Sequence, residues 1–409
     1  MVSRSHWTGL ARITRLLIVG VWSRISRMVL NKVLKLFCLV KKKDTKKKGK
    51  SINPLCKASA PHPTVNVTNN SILDPVSTGT GTVQLVQKHV PECSSVISSM
   101  TMREYGSESD GYNLFNQFDV VQDFSDHYYA SHSPGKTSKD WAKAIQNEWK
   151  LLQKDLPESI YVRVYEDRID LLRAAIVGPA GTPYHDGLFF FDVRFPSEYP
   201  QCPPKVHYHS GGLRLNPNLY ESGKVCLSLL NTWWGTGCEK WGKSKSTTLQ
   251  VLVSIQGLVL NDKPYFNEPG NKNSANTAPG EKNSLAYNQT AFILSCRTML
   301  YSLRNPPKHF ECLVARHFHE RERVILDACS AYISGTVVGS SSGDGTKYPR
   351  NNRTFADFKK SLEKYTELLR KDLATNHTRF LKVTRDSIAS DEIAAVSSAA
   401  DEIAVSACG

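Results

Sequence analysis

The chain has 409 residues, of which 40% are hydrophobic and 9% aromatic, enough apolar material for a packed globular core. Its formal net charge is +14, and nearly all of that charge lies in residues 1–50, where Lys and Arg are opposed by the single acid Asp44. The rest is close to neutral and offers no basic face, so we expect no nucleic-acid partner.

Residues 1–50 form a basic, apolar N-terminal segment. Its longest apolar run, residues 16–22, is far shorter than the roughly 20 residues that a membrane span needs. An Arg-rich leader without acids is typical of an organelle presequence or of a helix on a membrane surface, and a disordered basic extension fits equally well. We expect a cytoplasmic or nuclear protein, with organelle or membrane-surface targeting left open.

The next two segments differ in composition. Residues 51–110 are rich in Ser, Thr, Asn and Pro and have no sustained hydrophobic period, which predicts a disordered linker. Residues 111–136 alternate aromatic side chains, such as Phe115 and Phe124, with aspartates. We expect this segment to dock onto the neighbouring fold of the same chain rather than onto a partner.

Regular structure is predicted from Thr137 onward. Trp141, Ile145, Trp149 and Leu152 recur at helical spacing, and a Leu-Pro pair then ends the helix. Four strand-like runs separated by Gly- and Pro-rich turns follow, at residues 160–164, 171–177, 188–195 and 205–209. A helix followed by a meander of four strands predicts an α+β fold.

A cysteine, Cys226, lies on the short apolar run of GKVCLSLL, eight residues after Asn218 and with no histidine between them. A thiol in such a run is more often an inert core residue than a nucleophile. The motifs around Cys226 therefore determine which of the two interpretations is favoured. A helix ending in Leu-Pro precedes GPAGTPYHDGLFFFDVRFPSEYPQCPPKV, then Pro-Asn, GKVCL, Trp and an apolar helix. This ordered series, over residues 139–269, resembles the catalytic domain of the ubiquitin-conjugating enzymes.

The resemblance implies a fold of one N-terminal helix, a four-stranded antiparallel meander and C-terminal helices. It also implies that Cys226 accepts ubiquitin from the ubiquitin-activating enzyme as a thioester and passes it to a lysine of a protein substrate. Asn218 then takes the position of the family asparagine that stabilises the reacting carbonyl oxygen, and Glu268 that of an acid near the acceptor lysine. No cofactor and no metal are implied, because the activating enzyme consumes the ATP.

The sequence departs from the family pattern in three places. Asn216 replaces the usual histidine of His-Pro-Asn, which is mainly structural in the family. Gln201 replaces an aromatic residue, and residues 242–246 replace a Ser-Pro-Ala loop after Trp241. Because the last two changes lie on the surface used for RING-type ligases, the usual pairing with a ligase is in doubt, and whether a separate ligase assists stays open.

The C-terminal part also resembles that of the large members of the family, including plant forms, some of which are hybrids of conjugating enzyme and ligase. Residues 284–335 show helical periodicity, which predicts a helical extension with Cys296, Cys312 and Cys329 facing its core. A last helix is predicted at 354–372. The predicted divisions are 1–50, 51–110, 111–136, a catalytic domain at 137–280, the extension at 281–335, a linker at 336–353, the helix and a flexible tail at 373–409.

Three other functions fit parts of the sequence. A catalytically inactive ubiquitin-fold-binding module of the same fold remains the alternative to an enzyme. A papain-like hydrolase lacks its signature around the cysteine. Zinc binding by Cys226, Cys238 and His209 lacks paired ligands, and the ten dispersed cysteines indicate an intracellular, reduced protein.

Overall fold

The computed structural model describes residues 115–135, 137–340, 347–348 and 353–407. The predictions for residues 1–50 and 51–110, and for much of the linker at 336–353, concern residues outside these ranges. Among the helices of the described part, none combines the length and the apolar character that crossing a membrane requires.

The centre of the fold is a five-stranded sheet in the order β1 to β5. The four strands that form the antiparallel meander are β2 (Ile160–Tyr165), β3 (Leu171–Val177), β4 (Leu188–Arg194) and β5 (Lys205–Tyr208). These are the predicted strands, and the α+β class is confirmed. The fifth strand, β1 (Phe118–Val121), was not predicted and pairs with β2 in parallel.

Helix α1 (Lys139–Asp155) begins where the sequence predicts, with the Ser138 hydroxyl accepting from the Trp141 amide. Its buried Glu148 accepts hydrogen bonds from the Tyr199 hydroxyl at 2.7 Å and from the Thr248 amide at 2.8 Å. Thr248 is the first residue of α2 (Thr248–Ser254). One carboxylate therefore fixes α1 against the N-terminus of the helix that follows the cysteine segment.

The sheet is covered on both faces. Alternate strand residues such as Val162 and Phe191 belong to a core shared with α1 and α2. Their neighbours, such as Tyr161 and Phe190, belong to a second core built from the C-terminal helices. Those helices are α3 (Ala278–Arg304), α4 (Glu311–Ile333) and α5 (Arg353–Ala407). Covering both faces explains why β2, β3 and β4 are almost continuously apolar rather than alternating.

The aromatic and acidic segment before α1 lies against the sheet of the same chain. Arg173, fully buried on β3, is held by Asp192 of β4 at 2.6 Å and by both carboxylate oxygens of Asp126 at 2.8 Å. The Tyr128 amide donates to Asp192 at 2.7 Å. A buried guanidinium thus receives one carboxylate from the sheet and one from the docked segment, which fixes the register between them.

We expect Asp192→Ala to lower the free energy of unfolding by about 3–5 kcal/mol, because the variant leaves the buried Arg173 cation without its closest partner. Urea unfolding followed by circular dichroism measures the change. The exposed Asp167 offers a matched control, and Asp167→Ala should stay within about 0.5 kcal/mol of the parent. Equal stability of the two variants would contradict a structural role for the pair.

The same pair predicts a pH dependence. Burial raises the pKa of Asp192, but His209 and Arg173 together lower it well below its usual range. A carboxylate with a depressed pKa in the folded state stabilises fully above its unfolded pKa, about 4, and loses this contribution as pH falls below that value. We therefore expect the difference between the parent and Asp192→Ala to shrink on acidification.

Two details differ from the sequence prediction. Helix α5 continues to Ala407 instead of ending at 372, because no glycine or proline interrupts the chain there and Leu373 is buried in the second core. Cys296 and Cys329 are buried free thiols. Cys202 and Cys312 are instead disulfide-bonded, which contradicts the prediction that the cysteines are reduced.

Candidate active site

The segment between β5 and α2 folds back on itself and carries both predicted catalytic residues. Isolated bridges join Leu219 to Asn216 and to Val225, and another joins His207 on β5 to Lys224. Gly223 makes the turn between them with φ +80°, and a Cβ there would lie 2.1 Å from the His207 ring. Only glycine fits this turn without displacing the ring.

Asn216, which stands where the family has histidine, is a fully buried structural hub. Its Nδ2 donates to the Tyr184 hydroxyl and to the Val259 carbonyl, both at 2.8 Å, and its Oδ1 accepts from the Asn218 amide at 2.8 Å. Val259 ends the π-helical turn Ile255–Val259 that continues α2. An amide therefore ties the cysteine segment to the helix behind it and orients the backbone of Asn218.

Asn218 and Cys226 lie side by side. The Cys226 amide donates to the Asn218 carbonyl at 2.8 Å, and the Asn218 Nδ2 donates to the Cys226 carbonyl at 2.9 Å. Because an amide nitrogen carries two hydrogens, the bond to the Cys226 carbonyl uses one donor and leaves another. The eight-residue spacing thus places the side-chain amide directly beside the cysteine.

The Cys226 thiol is neutral at physiological pH. Burial is the main cause that raises its pKa above the ordinary thiol value; Lys224, Arg214 and a hydrogen bond from Tyr220 lower it, and the charge of Glu268 raises it. Cys226 as a whole is only 2% exposed. The local chemistry is that of a protected, unactivated thiol rather than the depressed pKa of a protease nucleophile.

Glu268, predicted as an acceptor-side acid, is half-buried between the two short 3₁₀ helices Pro264–Asn267 and Pro269–Ser274. Its charge acts on the Cys226 thiol and on the side chains of Tyr220 and Tyr287. The structure therefore brings Glu268 into the electrostatic neighbourhood of the cysteine, although 42 residues of chain separate them. Its role in accepting a proton stays a prediction.

Three further residues near the thiol were missed from the sequence. Arg214, Tyr220 and Lys224 all influence the pKa of Cys226, and Arg214 lies over the Tyr220 ring at 4.4 Å. The signal was present, because Tyr220 and Lys224 lie between Asn218 and Cys226 in the sequence. An aromatic hydroxyl and an ammonium group so close in sequence to a cysteine are the signal for an influence on its pKa.

Residues 231–247, which follow the cysteine segment, form a loop beside the site. The Ser228 hydroxyl donates to the Trp234 carbonyl at 2.5 Å, while the Trp234 side chain is 79% exposed. Trp241 packs on Tyr199 with ring centroids 5.7 Å apart, and its Nε1 donates to the Pro200 carbonyl at 2.8 Å. Gln201, next in the chain, is exposed. Gln201 and the loop at 242–246 thus lie near one another on the surface.

Comparison with known proteins assigns the class. A family model described as ubiquitin-conjugating enzyme matches residues 144–293, which include both Asn218 and Cys226. A putative ubiquitin-conjugating enzyme E2 38 of Arabidopsis thaliana is 55% identical over 235 residues, covering 57% of this chain and 72% of that protein. The chain belongs to the ubiquitin-conjugating enzyme family, as the ordered motifs predict.

Other relatives are longer. A probable ubiquitin-conjugating enzyme E2 25 of Arabidopsis thaliana is 61% identical over 230 residues, covering 56% of this chain but 38% of that protein. A human protein named dual E2 ubiquitin-conjugating enzyme/E3 ubiquitin-protein ligase BIRC6 is 36% identical over 278 residues, covering 63% of this chain and 6% of that protein. The matched region thus spans less than half the length of these relatives.

We expect Glu268→Gln to lower the pKa of Cys226, because it removes a negative charge that disfavours the thiolate. Since the thiolate is the species that is alkylated, the iodoacetamide rate at Cys226, followed by peptide mass spectrometry against pH, should reach its midpoint at lower pH. Glu221→Gln is the matched control, an exposed acid five residues before the cysteine. If the two variants show the same pH dependence of alkylation, the charge of Glu268 has no effect on the pKa of Cys226.

Proposed function

We propose that this protein accepts ubiquitin from the ubiquitin-activating enzyme as a thioester on Cys226 and transfers it to lysine side chains of protein substrates. The observation that carries the proposal is the 2.9 Å hydrogen bond from the Asn218 amide to the Cys226 carbonyl. This contact supports Asn218 as a donor next to the atom that would hold the acyl group. The raised pKa of the Cys226 thiol supports a carrier rather than a hydrolytic nucleophile.

The chemistry is acyl transfer in two steps. In loading, the Cys226 thiol releases its proton to solvent, its sulfur attacks the thioester carbonyl that the activating enzyme presents, and the thiolate of that enzyme leaves and takes up a proton. In transfer, the substrate amine attacks the carbonyl carbon of the Cys226 thioester and produces a tetrahedral oxyanion, to which Asn218 donates a hydrogen bond. The C–S bond then breaks, an amide remains on the substrate, and Glu268 accepts the proton that the amine loses.

Access to the thiol requires movement, because Cys226 is only 2% exposed. Tyr220, half-buried and hydrogen-bonded to the thiol, is the side chain whose displacement we propose uncovers the sulfur. Rotation of one partly exposed side chain is fast compared with enzymatic turnover. Burial in the resting state would also protect the thiol from side reactions.

The test is a loading assay. The full chain is incubated with ubiquitin, activating enzyme and ATP, and is then separated on a gel without reductant. We expect an adduct of one ubiquitin that disappears on treatment with thiol. Failure to form any adduct would support the alternative, a catalytically inactive ubiquitin-fold-binding module.

We further propose that the protein selects its own substrates, as a hybrid of conjugating enzyme and ligase. Two observations favour this role: the exposed Gln201 and the loop at 242–246 replace the usual ligase-binding residues, and one relative bears the name of a dual enzyme. The test is self-ubiquitination without any ligase. Covalent modification of lysine under these conditions supports the hybrid, and activity only after addition of a RING-type ligase contradicts it.

A further inference from the structure

Far from the cysteine in sequence, two histidines and a glutamate meet where α4 lies against α5. His319 and Glu322 come from α4, and His377 comes from α5. One nitrogen from each imidazole and one oxygen from the carboxylate all lie within 4.8 Å of one another. The family's thioester chemistry requires nothing of these residues.

The spacing of the donor atoms suits a small divalent cation. The two Nδ1 atoms are 3.0 Å apart. Two nitrogens bound to one zinc ion at about 2.0–2.1 Å in a tetrahedral arrangement lie about 3.3 Å apart, so a slight separation of the rings would admit the ion. Glu322 follows His319 by three residues and therefore shares its face of α4.

Local contacts hold this arrangement in place. The buried Asn376, next to His377, donates from Nδ2 to the Ala315 carbonyl at 2.8 Å, which fixes the register of α5 on α4. Phe380 stacks on the His319 ring with centroids 4.3 Å apart and an interplanar angle of 20°. The ligand-bearing turns are thus positioned by contacts that do not involve a metal, which lowers the entropic cost of binding.

The chemistry of the three donor groups also suits a metal ion. Two imidazoles and a carboxylate, with water as the fourth ligand, are a donor set that zinc accepts.

We propose that His319, Glu322 and His377 bind one zinc-class divalent cation, which clamps α5 onto α4. Because α5 packs on both α3 and α4 in the second core, such a clamp would stabilise the whole C-terminal extension. Zinc bound to the folded state alone stabilises it in proportion to its affinity and concentration. This proposal is independent of the thioester chemistry, and its test needs no ubiquitin.

The test uses the full chain after treatment with a chelator. Calorimetric titration with Zn²⁺ should show a site of one equivalent that His377→Ala and Glu322→Gln each weaken at least about tenfold. Glu320→Gln is the matched control, two residues from Glu322 on the same helix but paired with Arg316 at 2.7 Å, and it should bind as the parent does. Circular dichroism of each apo-variant confirms that it is folded.

Two further readouts separate this site from binding to cysteines. Zn²⁺ should raise the melting temperature of the parent and of Glu320→Gln but leave that of His377→Ala unchanged. Co²⁺ should give the visible absorption of a low-coordinate site without the near-ultraviolet band that thiolate ligands produce. Unchanged zinc affinity in His377→Ala, a thiolate band, or a simple hydrogen bond between the histidines with no zinc uptake would each overturn the proposal.

Discussion

Cys226→Ser should convert the ubiquitin adduct from one that thiols remove into one that they leave intact. The serine oxygen would form an ester in place of the thioester, and esters resist exchange with thiols because the alkoxide is a much poorer leaving group than a thiolate. The adduct should form more slowly than in the parent, since a serine hydroxyl is a weaker nucleophile than the cysteine thiol. Gels with and without reductant, together with release by mild alkali, measure both properties.

The control for this substitution is Cys296→Ser, which makes the same atomic change at a fully buried thiol in the second core. This variant should load with ubiquitin and keep an adduct that thiols remove. If instead Cys226→Ser still yields a thiol-labile adduct, another cysteine carries the acyl group. That result would return Cys226 to the status of a core residue.

Asn218→Ala should slow transfer to lysine by about 10²- to 10³-fold while loading changes far less. The reason is that an oxyanion develops when an amine attacks the thioester. The substitution removes the Asn218 side-chain amide, whose Nδ2 donates to the Cys226 carbonyl oxygen at 2.9 Å and therefore lies next to the thioester. Single-turnover discharge of the loaded protein to free lysine measures transfer by itself. The rate of adduct formation, measured separately, reports loading.

Asn283→Ala serves as the control, since Asn283 is an exposed asparagine on α3 whose side-chain contact is to the Tyr265 hydroxyl at 3.3 Å. It should discharge at the parental rate. Melting curves must accompany both variants, because Asn218 is buried. Equal slowing of loading and transfer in a folded Asn218→Ala protein would argue against stabilisation of the oxyanion and for a structural role.

The elements with strong periodicity could be predicted from the sequence alone. Trp141, Ile145 and Leu152 mark one face of α1, and all three are buried. The four meander strands follow from continuous apolar runs between turns rich in glycine and proline. These signals are local, and packing in the folded chain reinforces them rather than opposing them.

Two elements could not be predicted because their signals are not local. β1 has only four residues, and it is a strand because it hydrogen-bonds to β2, more than 40 residues further along the chain. Helix α5 was predicted to end at Asp372, yet Leu373 and Asn376 are buried in contacts with the C-terminal helices. In both cases tertiary contacts decide the local conformation.

In the candidate active site, too, some features could be predicted from the sequence and others depend on tertiary structure. The pairing of Asn218 with Cys226 was predicted because the family resemblance places both in catalytic positions, and the structure shows reciprocal hydrogen bonds between them. The hydrogen bond from Asn216 to the Val259 carbonyl depends on the π-helical turn after α2, and no pattern in the sequence predicts that turn. The approach of Glu268 likewise depends on the path of residues 227–267, which brings it back toward the cysteine.

The two cores on either side of the sheet restrict how other proteins can reach it. Helices α3, α4 and α5 cover one face, so the described part of the chain leaves the central strands β2, β3 and β4 buried from both sides. A partner that binds the face of those strands would first have to displace the helices that cover it. Within the described residues, a partner can therefore contact the sheet itself only at its margins, and Trp234, in the loop that follows the cysteine segment, presents an exposed aromatic side chain.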